Sequence, residues 1–118
     1  MKRFVIAIAA LLLCPLTAHA HAMLDRASPP VGSSQAKAPR EVALWFTQEL
    51  EPAFSNIEVR NDSGALVSSG KAHVDRANRT QLSVPVRSLP PGTYKVIWRV
   101  LSVDTHRTQG DFTFRVGP

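Results

Sequence analysis

A run of alternating apolar and polar residues, residues 94–100, most constrains the fold of this chain. Side chains alternate between the two faces of a β-strand, so this run predicts a strand with one aromatic, apolar face. A turn sequence, Pro90-Pro91-Gly92, stands just before it, and a second alternating run, residues 112–116, follows. The two runs predict a final pair of strands with residues 102–110 as the loop between them.

Shorter β-type runs precede this pair, and no window shows sustained helical spacing. The tetrad Asn61-Asp62-Ser63-Gly64 is typical of a hairpin turn, and Pro85 restricts the preceding strand to a sheet edge or a strand end. The further predicted strands are residues 23–27, 41–46, 54–60, 65–67 and 80–84. This spacing predicts one all-β domain, a Greek-key β-sandwich. Its core is expected to hold Trp45, Tyr94, Trp98, Phe112 and Phe114.

The first 20 residues have the pattern of a cleavable secretion signal. Lys2 and Arg3 form its basic start, residues 4–13 form its apolar segment, and Ala18-His19-Ala20 forms its cleavage site. Cys14 would suit a lipoprotein only with a small residue before it, where this chain has leucine. We therefore expect cleavage between Ala20 and His21, an exported domain of residues 21–118, and a soluble mature protein.

Composition restricts the chemistry of the mature chain. The only cysteine of the sequence lies in the signal, so a bound metal would take nitrogen, oxygen or thioether ligands. Loss of Lys2 and Arg3 reduces the net charge from +5 to +3. The basic residues are spread along the sequence rather than concentrated in one run, so no nucleic-acid partner is indicated.

The predicted cleavage would make His21 the first residue of the mature protein. A histidine in that position offers a metal both its α-amine and its imidazole, in a chelate that an internal histidine cannot form. Asp104 and His106 lie two residues apart, so on an extended segment their side chains would point the same way. Amine, imidazole and carboxylate donors suit Cu(II), with Zn(II) as a chemical competitor.

The chain resembles the CopC-like periplasmic copper-binding proteins over essentially the whole mature sequence. The residues that carry the resemblance are His21, Ser28-Pro29, Trp45-Phe46-Thr47, residues 91–98 and Ser102-Val103-Asp104-Thr105-His106. The resemblance implies a cupredoxin-like or immunoglobulin-like sandwich in the periplasm that binds one Cu(II) ion for copper resistance or homeostasis. It implies His21, Asp104 and His106 as ligands. It also implies partnership with a CopD-type inner-membrane copper permease or with other periplasmic copper proteins, and we expect a monomer.

Two features depart from the pattern of the family. Many relatives carry an acidic residue in a Phe-Ser-Glu motif, which here reads Phe46-Thr47-Gln48. The fourth ligand is therefore open among Glu49, Asp25 and water. The mature chain has Met23 as its only methionine, so a separate methionine-rich Cu(I) site is not expected. Because Met23 lies in the predicted first strand, its side chain is expected to pack in the core.

Other readings of the sequence remain. His73 is expected to be a surface loop residue, since Asp75 is its only ligand-type neighbour. A secreted interaction or adhesion module without a metal would share the same sandwich, because this architecture hosts many functions. A copper monooxygenase would also use an N-terminal histidine, although a carboxylate at the metal would fill a position that oxygen needs. No catalytic constellation is evident, so a binding protein rather than an enzyme is expected.

Overall fold

The computed structural model describes residues 22–118, and within them the chain forms eight β-strands and one 3-10 helix, Pro52–Phe54. The strands are β1 (Leu24–Ser28), β2 (Ser34–Gln35), β3 (Glu41–Phe46), β4 (Asn56–Arg60), β5 (His73–Val74), β6 (Gln81–Pro85), β7 (Gly92–Leu101) and β8 (Arg107–Val116). This part of the chain has no α-helix, and no helix in it is long and apolar enough to cross a membrane.

The strands form two four-stranded sheets. The first sheet has the order β1-β3-β6-β5, and the second has the order β2-β8-β7-β4. The chain moves from β3 to β4, from β5 and β6 to β7, and so passes repeatedly between the sheets, as in Greek-key sandwiches. The apolar inner faces of both sheets form one core. The structure thus confirms the predicted all-β sandwich.

The longest pairing in the molecule joins β7 to β8. These strands are antiparallel over ten residue pairs, from Gly92 opposite Val116 to Leu101 opposite Arg107. The alternation of residues 94–100 is confirmed, since the even-numbered side chains are buried. This pairing ends at residues 102–106, and the tight connection there places the candidate ligands at one end of the sandwich.

Trp98 occupies the space above its cross-strand neighbour, Gly110. A Cβ atom added to Gly110 would lie 2.5 Å from Cζ2 of the indole. The indole also meets the ring of Phe46 edge to face, with centroids 5.2 Å apart, and so joins the two sheets. A glycine is required at this position because an aromatic ring from β7 takes the volume of its missing side chain.

Three of the predicted boundaries were wrong. The loop before β8 ends at residue 106 rather than 110, because residues 107–110 pair with β7. The inward-facing positions of this segment carry no large apolar side chain, so the sequence pattern does not indicate a strand there. Residues 65–67 form one isolated bridge, from Leu66 to Arg60, rather than a strand. Pro52 opens a helical turn, so Phe54 lies outside β4 and is 61% exposed.

The core prediction was correct for four of the five aromatic residues and wrong for Trp45. Trp45 lies on the outer face of the first sheet, because Val42, Leu44 and Phe46 take the inner positions of β3. The guanidinium of Arg26 lies over the Trp45 ring, 3.9 Å from its centroid, and covers it there.

We expect Gly110→Ala to lower the free energy of unfolding by about 1–3 kcal/mol, since the indole of Trp98 must move to admit a methyl group. Urea unfolding of the protein measures this effect. Gly117→Ala is the matched control, because no atom lies within 4 Å of the Cβ it would add. Equal stability of the two variants would contradict the close packing of Trp98 on Gly110.

Candidate metal centre

Residues 102–106 form a tight connection between β7 and β8. The amide of Ser102 donates to the carbonyl of His106 at 3.0 Å, and the amide of Thr105 donates to the carbonyl of Ser102 at 2.8 Å. Thr105 has a φ of 72°, in the left-handed region that β-branched residues rarely adopt. The chain therefore reverses at Thr105, directly between the two candidate ligands.

Asp104 and His106 meet across this turn. Nδ1 of His106 lies 3.3 Å from Oδ1 of Asp104, and the two side chains are 43% and 41% exposed. The predicted proximity is confirmed, but the predicted reason was wrong, because the segment is a turn and not an extended strand. The pair is open to solvent and offers a carboxylate and an imidazole to an approaching cation.

Ser102 positions the carboxylate of Asp104 from the buried side of the turn. Its side chain is fully buried, and its hydroxyl donates a short hydrogen bond to Oδ1 of Asp104 while accepting from the amide of His106 at 3.3 Å. This hydroxyl bond, and after it the contact with the His106 ring, lowers the pKa of the Asp104 carboxyl from its ordinary value. The turn thus favours an ionised carboxylate beside the imidazole.

The start of the described chain lies against the same end of the sandwich. Ala22 is fully buried, and its carbonyl accepts a hydrogen bond of 2.8 Å from the hydroxyl of Thr108. Thr108 is two residues beyond His106 on β8. The amide of Met23, next to Ala22, donates to the side-chain hydroxyl of Thr47 at 2.9 Å, and the amide of Thr47 donates to the carbonyl of Met23 at 2.9 Å. His21, the third predicted ligand, lies outside the described residues.

The alternative ligands, Glu49 and Asp25, differ in their relation to this turn. The carbonyl of Glu49 accepts a hydrogen bond of 3.0 Å from the amide of Val103, so its backbone adjoins the turn, while the Asp25 and Glu49 side chains are exposed. Gln48 is partly buried. Within residues 22–118, no three His, Cys, Asp or Glu side chains come together as a metal-binding group.

The structure corrects two expectations for residues outside this pair. Met23 does not pack in the core: its side chain is 52% exposed, because it follows the buried Ala22 where the chain enters β1. His73 is exposed as predicted but lies in the short strand β5 rather than in a loop. Its Nε2 lies 3.3 Å from the hydroxyl of Ser83, on the adjacent strand β6.

The sequence did not predict that Ser102 positions Asp104 or that Thr108 anchors Ala22. A serine two residues before an aspartate is a common local hydrogen-bonding pattern, and this was the available signal for Ser102. Nothing in the sequence indicated that Thr108 bonds to Ala22, since 86 residues separate them.

Residues 24–117 match the family model of the CopC domain. The chain belongs to the CopC family. It is 34% identical over 115 residues to the protein YobA of Escherichia coli, which covers 97% of this chain and 93% of YobA. It is also 34% identical to copper resistance protein C of Pseudomonas syringae pv. tomato, covering 96% of this chain and 94% of that protein. The crystal structure of CopC from Methylosinus trichosporium OB3b superposes with a TM-score of 0.78 at 35% identity, covering 83% of this chain and 95% of the other.

We expect Ser102→Ala to raise the pKa of the Asp104 carboxyl toward the ordinary value of about 3.9, since the variant removes the hydrogen bond that favours the ionised form. A ¹³C NMR titration of the carboxyl in the metal-free protein measures this. Ser55→Ala is the control, because Ser55 is also buried but bonds to the backbone of Leu101. An unchanged Asp104 pKa in Ser102→Ala would contradict this role for Ser102.

Proposed function

We propose that this CopC-family chain is a periplasmic Cu(II)-binding protein that sequesters or carries copper for copper resistance or homeostasis. One Cu(II) ion would be held by the α-amine and imidazole of His21, the imidazole of His106, and Asp104, whose carboxylate binds directly or through a water. The site would form only after cleavage between Ala20 and His21, because a residue inside the chain has an amide instead of an amine.

One observation carries this proposal: the bond between Ala22 and Thr108 ties the start of the domain to the strand that follows the Asp104–His106 turn. Residue 21 is joined to Ala22, and consecutive Cα atoms are about 3.8 Å apart. An amine and an imidazole on that residue would therefore come within reach of a metal at the turn. Ala22 is fully buried, so this entry point is fixed by packing as well as by the hydrogen bond.

The chemistry of the donors supports Cu(II) over softer ions. The mature sequence has no cysteine and a single methionine, so nitrogen and oxygen donors predominate. Such donors in a tetragonal arrangement suit Cu(II). The carboxylate of Asp104 also lies 3.3 Å from Nδ1 of His106, and a carboxylate beside one ring nitrogen orients an imidazole that binds a metal through the other.

The family supports the biological assignment. One relative carries the name copper resistance protein C and aligns with nearly the whole chain. Residues 1–20 have the composition of a secretion signal, which agrees with a periplasmic location. We propose binding and transfer without substrate turnover, with a CopD-type inner-membrane permease or another periplasmic copper protein as the partner in copper exchange.

We expect one additional residue before His21 to weaken Cu(II) binding by orders of magnitude, because it converts the amine to an amide and breaks the chelate. His106→Ala should have an effect of similar size, while His73→Ala, an exposed histidine distant in sequence, should have none. Competition titration with a Cu(II) chelator measures affinity, mass spectrometry verifies the first residue, and electron paramagnetic resonance reports the nitrogen ligands.

The thermal stability of these metal-free variants should differ little from that of the parent, since the altered groups are ligands rather than core. Unchanged affinity after extension of the N-terminus would overturn the amine-based site. A large loss of metal-free stability in His106→Ala would instead assign His106 a structural part.

We expect Cu(II) affinity to fall at least about 100-fold between about pH 7 and about pH 5. Protons compete with Cu(II) for the α-amine, whose pKa in a free amino terminus is about 7.7–8.0, and for the imidazoles, which bind the metal only in their neutral form. The pKa of Asp104 is lowered from a value already below this window, so the carboxylate stays ionised throughout it. Asp104→Asn should therefore bind Cu(II) more weakly at every pH, with the same change in log affinity per pH unit as the parent protein. A smaller change per pH unit in this variant would contradict the assignment of the proton competition to nitrogen ligands.

A further inference from the structure

The two sheets differ in the charge of their strands. The strands of the second sheet carry five basic residues, Arg60, Lys95, Arg99, Arg107 and Arg115, against two carboxylates, Glu58 and Asp111. The strands of the first sheet carry Arg26 against Asp25 and Glu41. The second sheet therefore has a net charge of +3 and the first a net charge of −1.

The strand register places these charges of the second sheet on its outer face. Lys95 lies opposite Arg60 on one side and Thr113 on the other, and Arg99 lies opposite Gln109. Directly opposed residues of antiparallel strands point to the same face, and the alternating neighbours of these residues are buried. Residues that are dispersed along the sequence thus form one surface, which we call the basic face.

An exposed aromatic residue adjoins the basic face near the metal centre. Phe54 lines a shallow groove together with Arg99, Arg107 and Gln109. Its ring is 61% exposed, which makes it one of the most exposed large apolar side chains among the described residues. Aromatic rings beside basic side chains are the combination that proteins present to the headgroup region of a lipid bilayer.

The spacing of the charges favours an extended anionic partner. Arg107 and Arg115 are eight residues apart on β8, which corresponds to about 26 Å at about 3.3 Å per residue. A single small anion cannot contact both ends of this face, whereas a plane of phosphate headgroups can. Glu58 and Asp111 lie between the two basic ends of the face, and Glu58 is paired with Arg60 at 3.1 Å. At the other end, Arg99 and Arg107 are the basic residues that line the groove with Phe54.

We propose that the basic face docks the exported protein reversibly on an anionic phospholipid surface, with Phe54 entering the headgroup region beside Arg99 and Arg107. This proposal does not depend on the proposed copper function, because none of these residues is a proposed ligand. Arg107 directly follows His106, so docking through this end brings the Asp104–His106 turn close to the membrane surface.

Vesicle co-sedimentation tests the proposal with the full exported protein, both metal-free and copper-loaded. We expect binding to vesicles that contain phosphatidylglycerol, little binding to pure phosphatidylcholine, and weakening as salt is raised. Arg99→Gln/Arg107→Gln should weaken binding about 25-fold, since each basic residue near an anionic surface contributes about a fivefold change in affinity. Phe54→Ser should weaken binding without changing the salt dependence.

The matched control is Arg76→Gln/Arg87→Gln, which makes the same change in net charge at two exposed residues outside the second sheet. It should bind within about twofold of the parent, and circular dichroism should show all variants folded. An equal loss of vesicle binding in this control variant, or equal binding of the parent protein to anionic and neutral vesicles, would overturn the proposal. Binding to polyglutamate through Arg99 and Arg107 with no vesicle binding would also overturn it and would identify an acidic protein as the partner. If the metal-free and copper-loaded proteins bind vesicles equally, the docking stands whether or not the copper site is correct.

Discussion

The pairing of β7 with β8 is the constraint on which the rest of the structure depends. The two strands pair over ten residues, so that one face of the pair, which carries the aromatic side chains, lies in the core and the other face is exposed to solvent. The register is possible only because β8 has glycine where the Trp98 indole crosses it. A one-residue slip would move every side chain of one strand to the opposite face, so packing and surface charge are specified together.

The candidate metal centre lies where this pairing ends, and its rigidity comes from groups that are not ligands. The buried hydroxyl of Ser102 contacts both the carboxylate of Asp104 and the backbone of His106. The hydroxyl of Thr108 donates to the carbonyl of Ala22 and so holds Ala22 at this end of the sandwich. The proposed copper site would include a chain end, and an anchored residue beside that end reduces the conformational entropy lost when a metal binds.

The hairpin joins the proposed metal-binding and membrane-docking surfaces. Its turn supplies Asp104 and His106, while its outer face supplies Lys95, Arg99 and Arg107. A copper protein that exchanges its ion with a membrane partner would benefit from this arrangement, since docking reduces the search to two dimensions and orients the turn. Both functions can coexist because strand alternation separates the outer face from the core, and the turn lies beyond the last residue pair.

The sequence by itself determined the fold class, the central pair of strands and the candidate ligands, because period-two alternation and the short spacing of Asp104 and His106 are local patterns. Only the tertiary structure decided which face Trp45 takes, that β8 extends back to Arg107, and that Ser102 and Thr108 support the site. It also collected dispersed arginines into one basic face. These features depend on contacts between residues far apart in the sequence, such as Ala22 with Thr108 and Trp98 with Gly110, and no local pattern encodes which distant residues become neighbours.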